Sequence, residues 1–117
     1  TLVGRKKEVI IRGGQNIYPA EVEDLLMEHP WVGNVAIVAM PDPEMGEKCC
    51  AFVIPQAGKK IAFQEMVTFL KEKKIASFKI PERLEFVDQF PLAGEAKVNK
   101  RELQDMLAQR MEQESGG

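Results

Sequence analysis

The chain has 117 residues, of which 44% are apolar and 29% charged, and its 16 Lys and Arg against 18 Asp and Glu give a net charge of −2. This length predicts one globular domain that buries roughly two-thirds of the surface exposed by its unfolded state. The composition excludes a disulfide scaffold and a disordered chain. No run approaches the roughly 20 apolar residues that span a bilayer, and no signal peptide is evident, so we expect no membrane span and a soluble, cytoplasmic protein.

The sequence also disfavours nucleic-acid and metal ligands. A net charge near zero, without a dominant basic run, argues against a nucleic-acid partner. The only cysteines, Cys49 and Cys50, are neighbours, and neighbours in a strand point to opposite faces. We therefore expect both thiols to pack in the core, and we expect no disulfide and no metal site.

The first part of the chain predicts a strand, a glycine loop and a helix. A short apolar run over residues 8–11 ends in a turn-rich loop over residues 12–16. A helix is then expected to begin at Pro19, which suits the first helical position, and to stop before Pro30. Its apolar face has helical spacing and consists of Val22, Leu25, Leu26 and His29.

The centre of the chain predicts a β-hairpin. Residues 35–40 and 49–54 are apolar without alternation, which is typical of strands covered on both faces. The Pro- and Gly-containing segment between them predicts a long connecting loop, residues 41–47. Its carboxylates are expected to hold the loop by local hydrogen bonds.

The remaining elements define the fold class. Residues 63–70 carry a helical apolar stripe, residues 84–87 alternate as a strand does, and Asn99 with Glu102 predicts a capped final helix. The order is strand, helix, strand, strand, helix, strand, helix. We therefore predict an α+β fold, with a small mixed or antiparallel sheet packed with about three helices and preceded by a short β segment and glycine loop.

Three loops carry polar and glycine residues that packing does not explain, and in the one already described, residues 41–47, a bound cation is the alternative to local hydrogen bonds. In residues 4–19, the pair Gly13 and Gly14 allows positive φ and lets another molecule approach bare backbone. In residues 78–100, Lys97 is an ammonium group between an Ala/Gly-rich stretch and a helix cap, able to contact phosphate or carboxylate oxygens. An ordinary turn and a solvated lysine explain the same residues, so composition alone leaves both interpretations open.

Taken in order, several segments resemble the C-terminal domain of the AMP-forming acyl- and aryl-CoA synthetases, the adenylate-forming enzymes. The resemblance covers nearly the whole chain. Its segments are Gly4-Arg5-Lys6-Lys7, Ile10 to Glu23, His29-Pro30, Pro41-Asp42 with Gly46-Glu47, Phe78-Lys79-Ile80-Pro81, and Pro91 to Leu103.

The resemblance implies a lid that closes over a large N-terminal adenylation domain of the same chain. Residues 1–7 would be the hinge and the end of the interdomain linker, residues 8–112 the lid, and residues 113–117 a frayed polar tail. The full-length enzyme would use ATP with Mg²⁺, a carboxylic acid and CoA. The lid alone would bind none of these cofactors and would be inactive.

The resemblance also assigns the catalytic residue. Lys97, six positions after Pro91, matches the lysine that assists adenylation. Members of the family usually have Gly directly before this lysine and often Thr earlier in the loop, where this chain has Ala96 and Ala93. If residue 96 needs positive φ, Ala adds about 1 to 2 kcal/mol of strain.

Other positions of the motif have non-chemical roles. Lys7 matches the hinge residue about which the lid swings. Gly13 and Gly14 match the loop that lines the pantetheine tunnel for CoA. Arg5 and Glu21 match structural or interdomain positions, and the motif contains no metal ligand.

Two alternatives to an acid:CoA ligase remain. One is the lid of an aryl-acid adenylating enzyme that loads a carrier protein, because residues 94–98 also resemble that subgroup. The other is a free-standing, non-catalytic binding module with the same fold. A basic group of Lys71, Lys73, Lys74 and Lys79 could attract CoA phosphates, although a solvated helix end explains it equally.

Overall fold

The computed structural model describes residues 9–44, 46–56, 58–93 and 97–116, with the backbone alone for residues 93, 97, 115 and 116. The elements found there, in chain order, are β1 (Ile10–Arg12), β2 (Gln15–Ile17), α1 (Pro19–Leu26), β3 (Val32–Asp42), β4 (Gly46–Pro55), α2 (Phe63–Glu72), a 3-10 turn (Ser77–Lys79), β5 (Arg83–Phe86), β6 (Leu92–Ala93), β7 (Lys97–Val98) and α3 (Lys100–Gly116).

The long antiparallel pair of β3 and β4 forms the largest part of a five-stranded sheet, in which β4 is interior and β3 lies at one edge, with Val35 opposite Val53. Strand β5 pairs with β4 in parallel, and the β1–β2 hairpin joins β4 through Arg12 and Gly46. Strands β6 and β7 form a separate two-stranded hairpin. The sheet is therefore mixed, and the predicted α+β class is confirmed.

The central hairpin is buried on both faces, as its unbroken apolar runs predicted. The first face packs against α1 and α2 through residues that include Val35, Ile37, Cys49, Ala51, Val53, Val22, Leu26, Met66 and Leu70. The second face packs against α3 through Ala36, Val38, Met40, Cys50, Phe52, Leu103 and Leu107. Alternate residues of one strand thus enter two different cores.

Both cysteines pack as predicted, one in each core. Burial raises the pKa of the Cys49 and Cys50 thiols to about 12. The reactive thiolate is therefore scarce at neutral pH, and neither cysteine is suited to nucleophilic chemistry.

Helix α3 is fixed at both ends by polar contacts. At its start, the Asn99 side chain accepts a hydrogen bond from the Glu102 amide at 3.2 Å and donates one to the Glu102 carboxylate at 3.3 Å. The predicted cap is therefore present, although the glutamate meets the asparagine side chain and not its amide. The helix continues to Gly116, into the polar tail, where Glu114 accepts hydrogen bonds from the Arg83 guanidinium.

Two predicted loops are shorter than expected. The glycine loop is a two-residue turn, because residues 15–17 form β2 and pair with β1. The loop between the central strands is also short, since Asp42 pairs with Gly46 and three residues separate them. The Asp42 carboxylate accepts the Glu44 amide at 3.0 Å and pairs with Lys48 at 3.3 Å, which confirms the local hydrogen bonds expected there.

Replacing Leu103 by Ala tests whether α3 is held by the second core. Leu103 is fully buried, so Leu103→Ala should lower the free energy of unfolding of the 117-residue chain by about 2 to 5 kcal/mol. Leu92→Ala is the matched control, because Leu92 is 59% exposed and should lose less than about 0.5 kcal/mol. Denaturant unfolding measures both, and equal losses would contradict the packing described.

Candidate functional site

The Gly13–Gly14 pair forms the tip of the β1–β2 hairpin. Gly13 has φ of 56° and Gly14 has φ of 87°, and the flanking Arg12 and Gln15 are paired. Two consecutive positive φ values are typical of a type I′ turn, which favours glycine because a Cβ makes this conformation costly.

The space around this turn is open. A Cβ added to Gly14 would meet no atom within 4 Å, and both glycines are exposed. Backbone conformation therefore requires glycine at residue 14, whereas packing does not. The turn presents bare backbone to any molecule that approaches it.

The outer face of the same hairpin carries exposed apolar side chains beside Asn16. Val9, Ile11 and Tyr18 are 41%, 49% and 44% exposed, whereas Ile10 and Ile17 on the other face are buried. The base of the hairpin is tied to β4, since the Ile11 amide donates to the Glu47 carboxylate at 3.0 Å.

Lys97 lies on the β6–β7 hairpin, where its backbone pairs with Ala93. The base of this hairpin is closed by a hydrogen bond from the Asn99 amide to the Pro91 carbonyl at 2.7 Å. Helix α3 begins at the next residue, so the hairpin is continuous with the helix start. The structure describes the backbone of Lys97, and Ala96 lies outside the described residues, so the predicted catalytic role and the expected strain both stay predictions.

The start of the glycine hairpin and the start of α3 face one cleft of about 230 Å³. Val9 and Ile10 line one side of it, and Lys100 and Gln104 line another. Residues at the base of the glycine hairpin and near the start of α3 therefore line one depression of the surface.

Glu21 lies on α1 and forms an ion pair with Lys79 at 2.9 Å. Lys73 pairs in the same way with Glu28 at 2.6 Å. Lys79 therefore ties α1 to the 3-10 turn, and Lys73 ties the end of α2 to the turn that follows α1. The predicted hinge residue Lys7 and the predicted interdomain residue Arg5 lie outside the described residues.

Sequence analysis missed one polar contact beside the cleft. Lys100 forms an ion pair with Glu23 at 2.6 Å, although 77 positions separate them along the chain. The same Glu23 oxygen accepts the amide of Ile37 at 2.8 Å. Sequence spacing relates neither partner to the other, so only the fold reveals this contact.

Comparison with known families decides what the fold represents. A family model described as the AMP-binding enzyme C-terminal domain matches residues 21–97, which is more than half of the chain. The chain belongs to this family. The resemblance inferred from the motifs is thereby confirmed.

Relatives of this AMP-binding enzyme C-terminal domain include two kinds of ligase. The chain is 42% identical over 92% of its length to 2,3-dihydroxybenzoate-AMP ligase of Bacillus subtilis, covering 20% of that protein. It is 43% identical over 94% of its length to a mitochondrial medium-chain acyl-CoA ligase, ACSF2, of Bos taurus, covering 18% of that protein. The chain therefore spans about a fifth of the length of these relatives.

A solved structure agrees with the family assignment. The apo structure of Mycobacterium smegmatis MbtA matches with a TM-score of 0.82 and 33% identity over 87% of this chain and 19% of that one. Among the described residues of this family member, no cluster of His, Cys, Asp and Glu could hold a metal ion. Within the same ranges, no helix is both long and apolar enough to cross a lipid bilayer.

Proposed function

We propose that this chain is the lid of an ATP-dependent, AMP-forming acid:CoA ligase, which adenylates a carboxylate and then converts the adenylate into a thioester. Its family and its bovine acyl-CoA ligase relative support this proposal. Its partner would be an N-terminal adenylation domain of the same polypeptide, in keeping with the small share of its relatives that it matches. By itself the lid would not turn over.

The observation that carries the proposal is the placement of the two family loops. The Gly13–Gly14 turn and the Lys97 hairpin are separate hairpins on one folded body. A lid that serves two reactions needs two different loops at its surface. Rotation of the whole domain would then exchange one loop for the other in the active site.

Lys97 would act in the adenylation step. Attack of a carboxylate on the α-phosphate of ATP brings two anions together, and their repulsion raises the barrier. An ammonium group carried into this gap would offset the repulsion and orient both groups. Its place on a hairpin anchored to the start of α3 supports this role, since the anchor limits where the lysine can reach.

The Gly13–Gly14 turn would act in the thioester step. A narrow tunnel for the pantetheine arm needs backbone without side chains. Gly14 provides such backbone, and no atom lies within 4 Å of the place that a Cβ would take. The exposed apolar face formed by Val9, Ile11 and Tyr18 would then dock on the N-terminal domain in this orientation.

The remaining assignments of the family motif are also proposals. Lys7 would be the hinge, which needs freely rotating backbone torsions and no chemical group. Arg5 and Glu21 would have structural or interdomain roles. ATP and CoA would be held mainly by the complete enzyme, and Mg²⁺ would neutralise phosphate charge there.

A second candidate is the lid of an aryl-acid adenylating enzyme that loads a carrier protein. The 42% identity to 2,3-dihydroxybenzoate-AMP ligase favours it specifically. The complete enzyme separates the two candidates when [¹⁴C]acyl transfer is assayed with CoA and with a phosphopantetheinylated carrier protein. Transfer to CoA supports the first candidate, and transfer to the carrier protein alone supports the second.

The proposed location is the cytoplasm. Two free buried cysteines are compatible with a reducing compartment. The bovine relative is mitochondrial by name, so fractionation of the source cells would test the proposal.

Lys97→Ala tests the catalytic assignment. In the complete enzyme we expect at least about a 100-fold loss of ATP–pyrophosphate exchange, because the substitution removes the cation from the adenylation site. Thioester formation from supplied acyl-adenylate should stay within twofold of wild type. Lys71→Ala, at an exposed position of α2, is the control for loss of a lysine charge and should leave ATP–pyrophosphate exchange unchanged. Wild-type pyrophosphate exchange in Lys97→Ala would contradict the assignment.

Gly14→Leu tests the tunnel role. We expect about a 100-fold slower thioester step, because a side chain would enter the pantetheine path, while pyrophosphate exchange stays near wild type. Gly58→Leu is a matched control, since Gly58 also has positive φ, 74°, and open space around it. Both variants carry similar backbone strain, so a thioester defect in both would attribute the loss to strain and contradict the tunnel role.

A further inference from the structure

The start of α3 is held to α1 and to the sheet by one carboxylate. The Lys100 ammonium lies 2.6 Å from Glu23 Oε2, and the same oxygen accepts the Ile37 amide at 2.8 Å. Glu23 belongs to α1, Ile37 to β3 and Lys100 to the first position of α3. This Glu23 junction, formed by Glu23, Lys100 and Ile37, therefore joins three elements at one point.

The junction lies at an edge of the sheet. In the described part of the chain, β3 is the last strand on its side, so its outward backbone groups need other partners. Glu23 accepts from Ile37, and the Gln104 side chain donates to the Ala39 carbonyl at 3.0 Å. Gln104 lies one helical turn after Lys100, so the first turn of α3 is tied to this edge twice.

These polar contacts restrain sliding of α3 along its axis, which the apolar contacts leave nearly free. Leu103 and Leu107 bury one face of α3, but apolar packing is non-directional and resists sliding along the helix axis only weakly. The ion pair between Lys100 and Glu23 joins two defined atoms, so it fixes the position of α3 along its axis. Both side chains are about four-fifths buried, with exposures of 19% for Lys100 and 22% for Glu23, so water screens the pair less than an exposed one.

The helix start in turn sets the place of the Lys97 hairpin. Lys100 is three residues after Lys97, and the intervening Asn99 closes the hairpin through its hydrogen bond to Pro91. A shift of the first turn of α3 would therefore carry the hairpin with it. An error of about 1 Å in the placement of a reacting group can cost about 100-fold in rate.

We propose that Lys100 is a positioning residue for adenylation, acting through Glu23 to hold the Lys97 hairpin in register with the rest of the lid. This inference rests on the proposed function. It assigns Lys100 no contact with substrate.

The test uses Lys100→Met, Glu23→Gln and the double variant in the complete enzyme. Each single variant should lower the ATP–pyrophosphate exchange rate at saturating substrate by about 10- to 100-fold, with thioester formation from supplied acyl-adenylate within twofold. Because both residues act through one contact, the double variant should be no slower than the slower single variant. Lys100→Arg keeps the charge and should restore at least half of the lost exchange rate.

The matched control is Lys73→Met. It breaks an ion pair of the same 2.6 Å length between Lys73, the C-cap of α2, and Glu28 in the turn after α1, with exposures of 34% and 57%, and should leave exchange within twofold. Thermal unfolding of every variant identifies loss of folded protein. The inference would be overturned if Lys100→Met slowed both half-reactions equally. It would also be overturned if the loss of exchange across the variants matched their loss of folded protein, measured as a lowered Tm.

Two further outcomes are decisive. A slow Lys100→Met beside a wild-type Glu23→Gln would mean that Lys100 acts directly, which overturns the positioning role. Loss of exchange in Lys97→Ala with normal exchange in Lys100→Met would overturn this inference alone. Normal exchange in Lys97→Ala would instead overturn the proposed function.

Discussion

The pairing of β3 with β4 is the constraint on which the rest of the domain depends. These strands run antiparallel from Val32 opposite Pro55 to Asp42 opposite Gly46, and their alternate side chains enter two separate cores. One core receives α1 and α2, and the other receives α3. Because apolar burial on both faces is the main source of stability, a break in this pairing would release every helix at once. The functional hairpins are attachments to this centre.

The two proposed functional hairpins are connected to the β3–β4 pair through different contacts. The Gly13–Gly14 hairpin is tied to β4 through the Arg12 and Gly46 pair and through the Glu47 carboxylate. The Lys97 hairpin is tied to α3 through Asn99, and α3 is tied to the edge of β3 by the Glu23 junction. Thus a loop proposed for thioester formation and a loop proposed for adenylation are parts of one body. The proposed exchange between them would be a rotation of that body, with the large torsional changes confined to the proposed hinge.

Local patterns of apolar and turn residues predicted most of the strands and helices. They did not predict polar contacts between residues far apart in the sequence. The unbroken apolar runs of residues 35–40 and 49–54 predicted two buried faces, because a strand buries every side chain only when both faces of its sheet are covered. The strand β2 was missed, since its sequence Gln15-Asn16-Ile17 is polar and only pairing with β1 makes it a strand. The Lys100 contact with Glu23 was missed because a distance of 77 positions carries no periodicity. The proposed role of Lys97 rests on the family motif, and the β6–β7 hairpin that carries its backbone was not predicted from the sequence.

The claim that the lid moves as one body is tested most directly by spin-label distances in the complete enzyme. Cysteines introduced for Gln15 and Arg101, both exposed, would be labelled in preference to Cys49 and Cys50 of the lid, which are fully buried. Distances would be measured with an acyl-adenylate analogue, before and after pantetheine is added. We expect an unchanged distance between residues 15 and 101, and a changed distance from each to a label on the N-terminal domain. A changed distance within the lid, with the lid fixed against that domain, would contradict the claim.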